Sequence, residues 1–335
     1  MLVESIMFRH IWERPLPNET GIDYVVPMVF PRDRAWRKTY ASLMGSDLNE
    51  HDHNMYVRFR SWGTEELLIR SVIRFMPWLR RIYIIVASGS QCRFMPWVDG
   101  LMNSRDAHTP EVRVVTHKEF IPEQFLPTFN SRAIEMFLHR IPGLSDYFIY
   151  GNDDMIPLSP LAKEDFFRCV HDDYGWHLLP CQRMKEKVLP ENLNNFQLAC
   201  LAGLNFVGSE FGQHFSNTML RGGHTLAPIM RSSCLHLWQR GSQAIEASIS
   251  SMRTIKNFNQ YIYSWYQHFS GQYIEHLPPH SMAGVKSGVQ HTLDVIARPD
   301  CGVVCINDHE SCSDWVSFAR AVRNAIEHKL MSYGG

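Results

Sequence analysis

A short apolar run that ends in two adjacent carboxylates constrains the fold more than any other stretch of this sequence. Tyr147–Tyr150 is too short for a helix and is followed by Gly151, so it predicts a buried strand. Asn152, Asp153 and Asp154 come directly after it. Open α/β sheets bind their ligands at the carboxyl ends of the strands, so this motif predicts a ligand site there.

The two carboxylates also indicate the kind of ligand. Adjacent like charges repel one another unless a cation or hydrogen-bond donors offset them. Oxygen ligands suit a hard ion, and Mg²⁺ (or Mn²⁺) can hold the diphosphate of a nucleotide-sugar. We therefore predict Asp153 and Asp154 as metal ligands. The alternative is a turn in which Asn152 and the aspartates cap the next helix, a common use of these residues.

The residues before this strand predict a helix, and three further apolar runs predict the rest of a sheet. Asn130 or Ser131 can cap the helix, and Pro142-Gly143 ends it. Apolar runs at residues 22–29, 81–87 and 112–115 alternate with helical stretches, of which residues 65–75 are the clearest. This alternation is typical of a mostly parallel, doubly wound α/β sheet.

The composition favours an ordinary globular enzyme. The 335 residues are 45% hydrophobic and 20% charged, so they can form one large domain, or one domain with a substantial insertion. A net charge of −1 gives no reason to expect a nucleic acid partner.

The sequence predicts a cytoplasmic protein. No apolar run is long enough to span a bilayer, and residues 1–17 have scattered charges and no apolar core of a secretory signal. Peripheral association with the inner face of the membrane, through a short amphipathic segment there, stays open. Eight scattered cysteines fit a reducing compartment.

One group of residues has loosely metal-like spacing. Cys301, Cys305, His309 and Cys312 lie close in sequence, but the segment between the first two is apolar and predicts a strand. We therefore expect no structural zinc site from this set.

Two later segments repeat the pattern of polar residues at element ends. Gly222-Gly223 allows a close backbone approach, and His224 follows it just before a helix predicted from Ile229 to Arg240. The second segment is a strand beginning at Val303 that runs into Asn307 and Asp308 and precedes a helix over 314–330. A loop histidine that merely caps a helix is the alternative for His224.

The chain resembles the Stealth family in four ordered blocks that cover about half of the sequence. The blocks are IDYVVPMVF with Asp33 and Trp36; RFRSWGTEELLIRSV to HRIPGLSDYFIYGNDD; GHTLAPIM to NFNQYIY; and CIND with the helix after it. Phe30-Pro31 and Ser61 depart from the family pattern, which has a polar residue and a glycine at the first site and most often an acid at the second.

The resemblance implies a fold and a division of the chain. The fold would be a nucleotide-sugar transferase-like, Rossmannoid α/β core with an inserted, more helical lobe. Residues 1–20 would be an N-terminal extension, 21–157 the first part of the catalytic core, 158–223 a variable insertion that binds the acceptor, and 224–335 the remainder of the core.

The resemblance also implies an activity in the synthesis of capsular or other cell-surface polysaccharide. The enzyme would transfer hexose-1-phosphate from a nucleotide-diphosphate sugar, of the UDP-hexose or UDP-N-acetylhexosamine type, to a hydroxyl of a glycan or lipid-linked oligosaccharide. A phosphodiester would form and a nucleoside monophosphate would leave. The alternatives are a metal-dependent glycosyltransferase that releases a nucleoside diphosphate, and a catalytically weak protein that binds sugar nucleotides.

Roles for individual residues follow from the resemblance. His224, Asp154 and Arg253 would be catalytic, with His224 the first candidate for the general base and an aspartate as the alternative. Asp308 would join Asp153 and Asp154 around the metal. The residues expected to bind the substrates are Asp33, Arg58, Asn130, Ser131, Asn152 and Asn307.

Overall fold

The protein is a mixed α/β structure in which most elements are short. The computed structural model describes residues 12–17, 20–47, 53–103, 109–172, 175–309, 311–312 and 314–333. The strands of these residues, numbered along the chain, are β1 (Trp12–Arg14), β2 (Ile22–Pro27), β3 (Arg81–Val86), β4 (Glu111–Thr116), β5 (Tyr147–Tyr150), β6 (Met155–Pro157), β7 (Phe167–Asp172), β8 (Gly175–Gln182), β9 (Met184–Val188), β10 (Thr218–Gly222), β11 (Ala227–Met230), β12 (Ile274–Glu275), β13 (His280–Gly284) and β14 (Val303–Asn307).

The helices connect and cover these strands. The α-helices of the same residues are α1 (Arg34–Met44), α2 (His53–Phe59), α3 (Glu65–Phe75), α4 (Pro96–Asn103), α5 (Ser131–Met136), α6 (Asn195–Glu210), α7 (Arg231–Ser248), α8 (Tyr261–Phe269), α9 (Val289–Ala297) and α10 (Trp315–Ser332). Short 3₁₀ turns lie between them, among them His117–Glu119 directly after β4 and Leu138–Arg140 after α5.

A five-stranded sheet forms the centre, with its strands in the order β11-β5-β2-β3-β4. Strands β5, β2, β3 and β4 are parallel, and β11 pairs antiparallel with β5 at the edge. The mostly parallel sheet predicted from the apolar runs is therefore present in four of its five strands. The more specific nucleotide-sugar transferase-like topology stays a prediction.

Alternate residues of the central strands pack into two different cores. Tyr24 and Ile84 belong to the core that α3, α9 and α10 cover, whereas Val25, Ile85 and Tyr150 belong to the core that α5, α6, α7 and α8 cover. Both faces of the sheet are thus buried by helices, which explains why these strands have apolar residues at successive positions.

The segment 158–223 is not the more helical lobe that was expected. Its described residues form strands β7 to β10 and a single α-helix, α6. Strands β7 and β8 pair antiparallel within a four-stranded sheet of order β1-β7-β8-β12, and β9 pairs with β10 in a two-stranded ribbon. The β-branched and aromatic residues of this segment pair across strands, and that pairing outweighs its irregular, proline-containing pattern.

The N-terminal extension and the end of the chain also take part in these sheets. Strand β1 pairs with β7, whereas residues 1–11 lie outside the described residues. Strand β14 lies between β13, to which it is parallel, and β6, to which it is antiparallel. None of the helices in the described ranges is long and apolar enough to cross a membrane.

The helix predicted from Ile229 to Arg240 is present but begins two residues later, at Arg231. Residues 227–230 form the edge strand β11. Pairing with the apolar strand β5 explains the difference, because backbone hydrogen bonds to an otherwise open sheet edge outweigh the local helical pattern.

A buried carboxylate forms hydrogen bonds that connect three segments at the amino ends of the central strands. Asp23 in β2 is fully buried and accepts hydrogen bonds from Arg80 Nε at 2.9 Å, from Arg80 Nη2 at 2.6 Å and from the backbone N–H of Ser145 at 2.7 Å. Arg80 also donates to the carbonyl oxygen of Gly143 at 2.8 Å. Asp23 therefore joins the start of β2 to the segment before β3 and to the loop before β5.

We expect Asp23→Ala to lower the free energy of unfolding by about 3 kcal/mol, because it leaves the Ser145 N–H and part of the Arg80 guanidinium without their acceptor. Urea unfolding followed by circular dichroism measures the loss. Asp300→Ala is the matched control, since Asp300 pairs with Arg298 in an exposed position. Equal unfolding midpoints for the two variants would contradict the role given to Asp23.

Candidate functional site

One cleft lies at the carboxyl ends of the parallel strands. Its lining includes Met28 after β2, Ala87 after β3, His117 after β4 and Asn152 to Asp154 after β5, together with Asn307 at the end of β14. Its volume is about 370 Å³, which is within the range of small-molecule sites. The ligand site predicted from the strand that ends in carboxylates thus coincides with an actual cavity.

The acidic motif forms a tight turn between β5 and β6 rather than a helix cap. The side-chain oxygen of Asn152 accepts a hydrogen bond from the Tyr150 hydroxyl at 3.1 Å, and the Asn152 carbonyl accepts one from the Met155 N–H at 3.1 Å. A Cβ atom at Gly151 would lie 2.4 Å from the hydroxyl oxygen of Tyr24, so only glycine fits before the turn. The turn is therefore fixed from both sides.

Both carboxylates of the turn hold their protons more tightly than usual. Asp153 is open to solvent inside the cleft, yet desolvation by the surrounding protein, followed by the charges of Asp154 and Glu65, raises its pKa to about 7. Burial also raises the pKa of Asp154, and the nearby His224 and Cys305 oppose that shift. The two carboxylates repel each other when both are ionised, and a bound cation would offset that repulsion.

His224 lies beside this turn. It follows β10 and precedes the edge strand β11, so it is not located at the start of a helix as the sequence suggested. Its Nδ1 atom is 3.4 Å from the Tyr261 hydroxyl. Burial lowers the pKa of His224, Asp154 opposes the shift, and Arg221 adds to it. The imidazole is therefore favoured in its neutral form, which can accept a proton.

Asp154, His224 and Cys305 form a compact cluster. One ligand atom of each lies within 4.8 Å of those of the other two. The Cys305 thiol donates to Asp154 Oδ2 at 3.4 Å, whereas Asp154 Oδ1 is buried and has no hydrogen-bond partner among the residues that the structure describes. An orphaned carboxylate oxygen next to a second carboxylate fits a cation, so the oxygen atoms of Asp153 and Asp154 suit the predicted Mg²⁺.

The metal-like set near the C terminus does not assemble. Cys301 donates to the carbonyl oxygen of Val303, and His309 contacts Ser311, whereas Cys305 contacts Asp154 from another part of the chain. Among the described residues, the group with metal-ligand geometry is the one at the cleft.

Cationic side chains also line the cleft. Arg253 donates to the Ser131 hydroxyl at 2.6 Å, and Arg58, on α2, also lines the cleft. Arg132 was not predicted from the sequence. It is buried, donates to the carbonyl oxygen of Thr254 at 3.2 Å, and forms no ion pair with a carboxylate of the described residues.

The three guanidinium groups influence one another. Burial, together with the charges of Arg253 and Arg58, lowers the pKa of Arg132. Three mutually repelling cations beside one cavity are stabilised by an anionic ligand with several oxygen atoms, such as a diphosphate.

Glu135 is a second residue that the sequence analysis missed. It is buried in α5, lines the cleft, and accepts hydrogen bonds from the backbone N–H of Gln260 at 2.8 Å and from the Tyr150 hydroxyl at 3.1 Å. Burial raises its pKa, whereas these bonds and the charge of Arg253 oppose the shift. The available signal was an acid within the predicted helix that follows the Asn130 cap.

Three predicted site residues do not line the cleft. Asp33 is buried and binds Ser90, Gln91 and Arg93 while it caps α1. Asn130 caps α5 and donates to the Ser250 carbonyl, so its described contacts are within the protein.

Asp308 is the third of these residues. Both of its carboxylate oxygens accept hydrogen bonds from Arg60, and one also accepts the Trp62 indole N–H at 2.9 Å. Its predicted place beside Asp153 and Asp154 is therefore not observed, whereas Asn307, the residue before it, does line the cleft.

Part of the cleft lining is apolar. We call it the apolar wall; it consists of Met28, Val29, Trp36, Phe59, Ala87, Phe129 and Met252. Within it, the rings of Phe59 and Phe129 lie edge-on to Trp36, with centroids 5.2 and 5.1 Å away. His117 lines the cleft as well; it is buried, and burial lowers its pKa to about 4. The cleft thus combines an apolar surface with a charged one.

Comparisons with known proteins find similarity to one family model and to several polysaccharide phosphotransferases. Residues 58–173 match the family model described as Stealth protein CR2, conserved region 2. The receptor polysaccharide phosphotransferase WefC of Streptococcus oralis is 27% identical over 340 residues, covering 88% of this chain and 92% of the relative. The capsular polysaccharide phosphotransferase WcwK of Streptococcus pneumoniae is 26% identical and covers 92% of this chain and 98% of the relative. The capsular polysaccharide phosphotransferase LcbA of Aeromonas hydrophila is 36% identical over 49% of this chain and 44% of its own.

The buried His117 predicts an acid-sensitive contribution to stability. Its imidazole stays neutral in the fold, with a pKa of about 4, whereas the unfolded chain binds the proton near pH 6.5. Stability is therefore complete above pH 6.5 and is lost as the pH falls towards 4. Between pH 7 and pH 5, the wild type should lose about 2 kcal/mol more unfolding free energy than His117→Gln. Urea unfolding at both pH values measures this, with the exposed His291→Gln as control; equal losses in wild type and His117→Gln would refute it.

Proposed function

The chain carries the Stealth CR2 region, and on that premise we propose that it is a phosphotransferase of capsular or cell-surface polysaccharide synthesis. It transfers hexose-1-phosphate from a nucleotide-diphosphate sugar to a hydroxyl of a growing glycan. The acceptor hydroxyl attacks the sugar-bearing phosphorus, a phosphodiester forms, and a nucleoside monophosphate leaves.

The observation that carries this proposal is the composition of the cleft at the strand ends. Its lining combines an acidic pair, a neutral imidazole and three arginines with the aromatic apolar wall. A nucleotide-sugar has the same division, because its base is flat and largely apolar on its faces and its diphosphate is strongly anionic. The site therefore matches the donor in both parts.

The donor is oriented by its two chemically different ends. The apolar wall takes the nucleobase, and Trp36 and Phe129 provide aromatic surface for it. The diphosphate oxygens bind to Arg253, Arg132 and Arg58. The hydrogen bond from Arg253 to the Ser131 hydroxyl orients the Arg253 guanidinium. The same side chains stabilise the charge on the equatorial phosphoryl oxygens during transfer.

Asp153 and Asp154 are the residues that would hold Mg²⁺, with the side-chain oxygens of Asn152 and Asn307 beside them in the cleft. When bound, the ion supplies Lewis-acid stabilisation of the leaving phosphate.

His224 removes the proton of the acceptor hydroxyl. Burial and the neighbouring Arg221 favour its neutral form. In the tautomer whose Nδ1–H donates to the Tyr261 hydroxyl oxygen, Nε2 is the atom that accepts the proton. The Asp154 carboxylate stabilises the imidazolium that results. Glu135 holds Gln260 and Tyr150 by hydrogen bonds and offsets the charges of the arginines.

The identity of the spent nucleotide tests the reaction. Purified protein is incubated with Mg²⁺, a panel of UDP-, GDP- and CDP-linked hexoses, and size-fractionated capsular oligosaccharides as acceptors. We expect nucleoside monophosphate by chromatography and a phosphodiester resonance in the ³¹P NMR spectrum of the glycan. Asp154→Asn is the control, with activity at least about a hundredfold lower. Nucleoside diphosphate together with a phosphorus-free product would show glycosyl transfer instead.

His224→Gln tests the assignment of the general base. Turnover should fall by roughly a hundredfold or more, with little change in the donor KM, because the base acts on the acceptor hydroxyl. His276→Gln is a matched control, since His276 pairs with Asp165 outside the cleft lining and its loss should leave both constants unchanged. A weaker donor affinity with unchanged turnover would make His224 a binding residue.

A further inference from the structure

The cluster of Asp154, His224 and Cys305 contains a ligand that the transfer reaction does not use. The Cys305 thiol takes no part in binding the donor or moving a proton, yet it lies directly behind the two cleft residues. The three residues come from the β5–β6 turn, the segment before β11 and the middle of β14. Only the complete fold brings them together.

The distances within the cluster suit a small tetrahedral ion. With Zn–S and Zn–O bonds of about 2.3 and 2.0 Å, the sulfur and oxygen ligands of a tetrahedral zinc ion lie about 3.5 Å apart. The observed separation of Cys305 Sγ and Asp154 Oδ2 is 3.4 Å, and the ligand atom of His224 lies within 4.8 Å of both. The three ligand atoms are thus close enough to be brought around one ion.

A second observation points to a cation at this position. Asp154 Oδ1 is buried without a hydrogen-bond partner, although its side chain lies against the cleft. The Tyr261 hydroxyl contacts Nδ1 of His224, which leaves Nε2 for a metal and orients the ring. The cluster therefore has an unsatisfied ligand atom and a positioned imidazole.

The chemistry of the three ligands selects the ion. Mg²⁺ prefers oxygen atoms alone, whereas a thiolate and an imidazole favour Zn²⁺ and other borderline transition metals. We propose that Asp154, His224 and Cys305 form a Zn²⁺ site and that Zn²⁺ bound there inhibits the transferase. On binding, the Cys305 thiol releases its proton to solvent, and the protein keeps three ligands while the fourth position faces the cleft.

Inhibition follows from which side chains the ion occupies. Zn²⁺ at this site occupies the imidazole of His224, which can then no longer accept the proton, and it takes Asp154 from the Mg²⁺ position. This part of the inference rests on the proposed function, whereas the metal site itself does not. Binding and inhibition are therefore measured separately.

Cobalt replaces zinc as the spectroscopic probe of the site. Titration of the full chain with Co²⁺ in the absence of nucleotide should give, at one equivalent, intense visible bands of a tetrahedral ion and a near-ultraviolet thiolate-to-cobalt band. One equivalent of Zn²⁺ should abolish both. Cys305→Ser should lose the thiolate band, and Cys301→Ser should keep it, because that buried thiol donates to the Val303 carbonyl outside the cluster. A wild type without the thiolate band, or a band that persists in Cys305→Ser, would overturn the site.

A second variant and an activity measurement complete the test. His224→Gln should keep the thiolate band but bind Co²⁺ at least about tenfold more weakly, so the site stays testable if Cys305→Ser does not fold. In the Mg²⁺-driven transfer assay, the Zn²⁺ concentration for half inhibition should be at least about tenfold higher for Cys305→Ser than for Cys301→Ser; equal values would overturn the inhibition. If no donor supports transfer, the proposed function fails while the cobalt spectra still decide the site. If transfer occurs without the thiolate band, only the metal site fails.

Discussion

Two carboxylates held side by side at the end of a buried strand are the constraint on which the rest of this structure depends. Gly151 and the tight turn place Asp153 and Asp154 side by side, desolvation raises the pKa of both, and the charge of Asp154 adds to the shift of Asp153. Groups that can offset their negative charge lie around them. An imidazole lies against one carboxylate, and three arginines line the same cavity. The lining of the cleft thus combines acidic and cationic side chains.

Much of the central sheet could be predicted because its determinants are local. Strand β5 is a short apolar run bounded by glycine, α3 has helical spacing with a proline two residues after its end, and the Asn130 cap acts within two residues through the Arg132 N–H. The position of the acid pair also followed, because a parallel strand buried on both faces delivers its last residues to one edge. These features need no knowledge of distant segments.

The remaining features depend on contacts that sequence spacing does not encode. Residues 229 and 230 fit the helical pattern of the segment after them, yet residues 227–230 pair with β5 as an edge strand. Asp308 follows a strand just as Asp154 does, but Arg60, far away in the chain, donates to both of its oxygens. Cys305 and Cys301 have loosely metal-like spacing in the sequence, but the Cys305 thiol contacts Asp154 instead. In each case the competing partner is more than 70 residues away, which no local pattern can reveal.

The order in which the cleft is completed has a consequence for biosynthesis. Its lining begins at Pro27 and ends at Asn307, and β14, which carries Asn307, is anchored to the acidic turn by the bond from the Ile306 N–H to the Asp154 carbonyl at 2.9 Å. Because a chain is synthesised from its N terminus, the acid pair is translated more than 150 residues before Asn307. The lining of the cleft is therefore complete only after synthesis has passed residue 307, and the acid pair alone does not make the site.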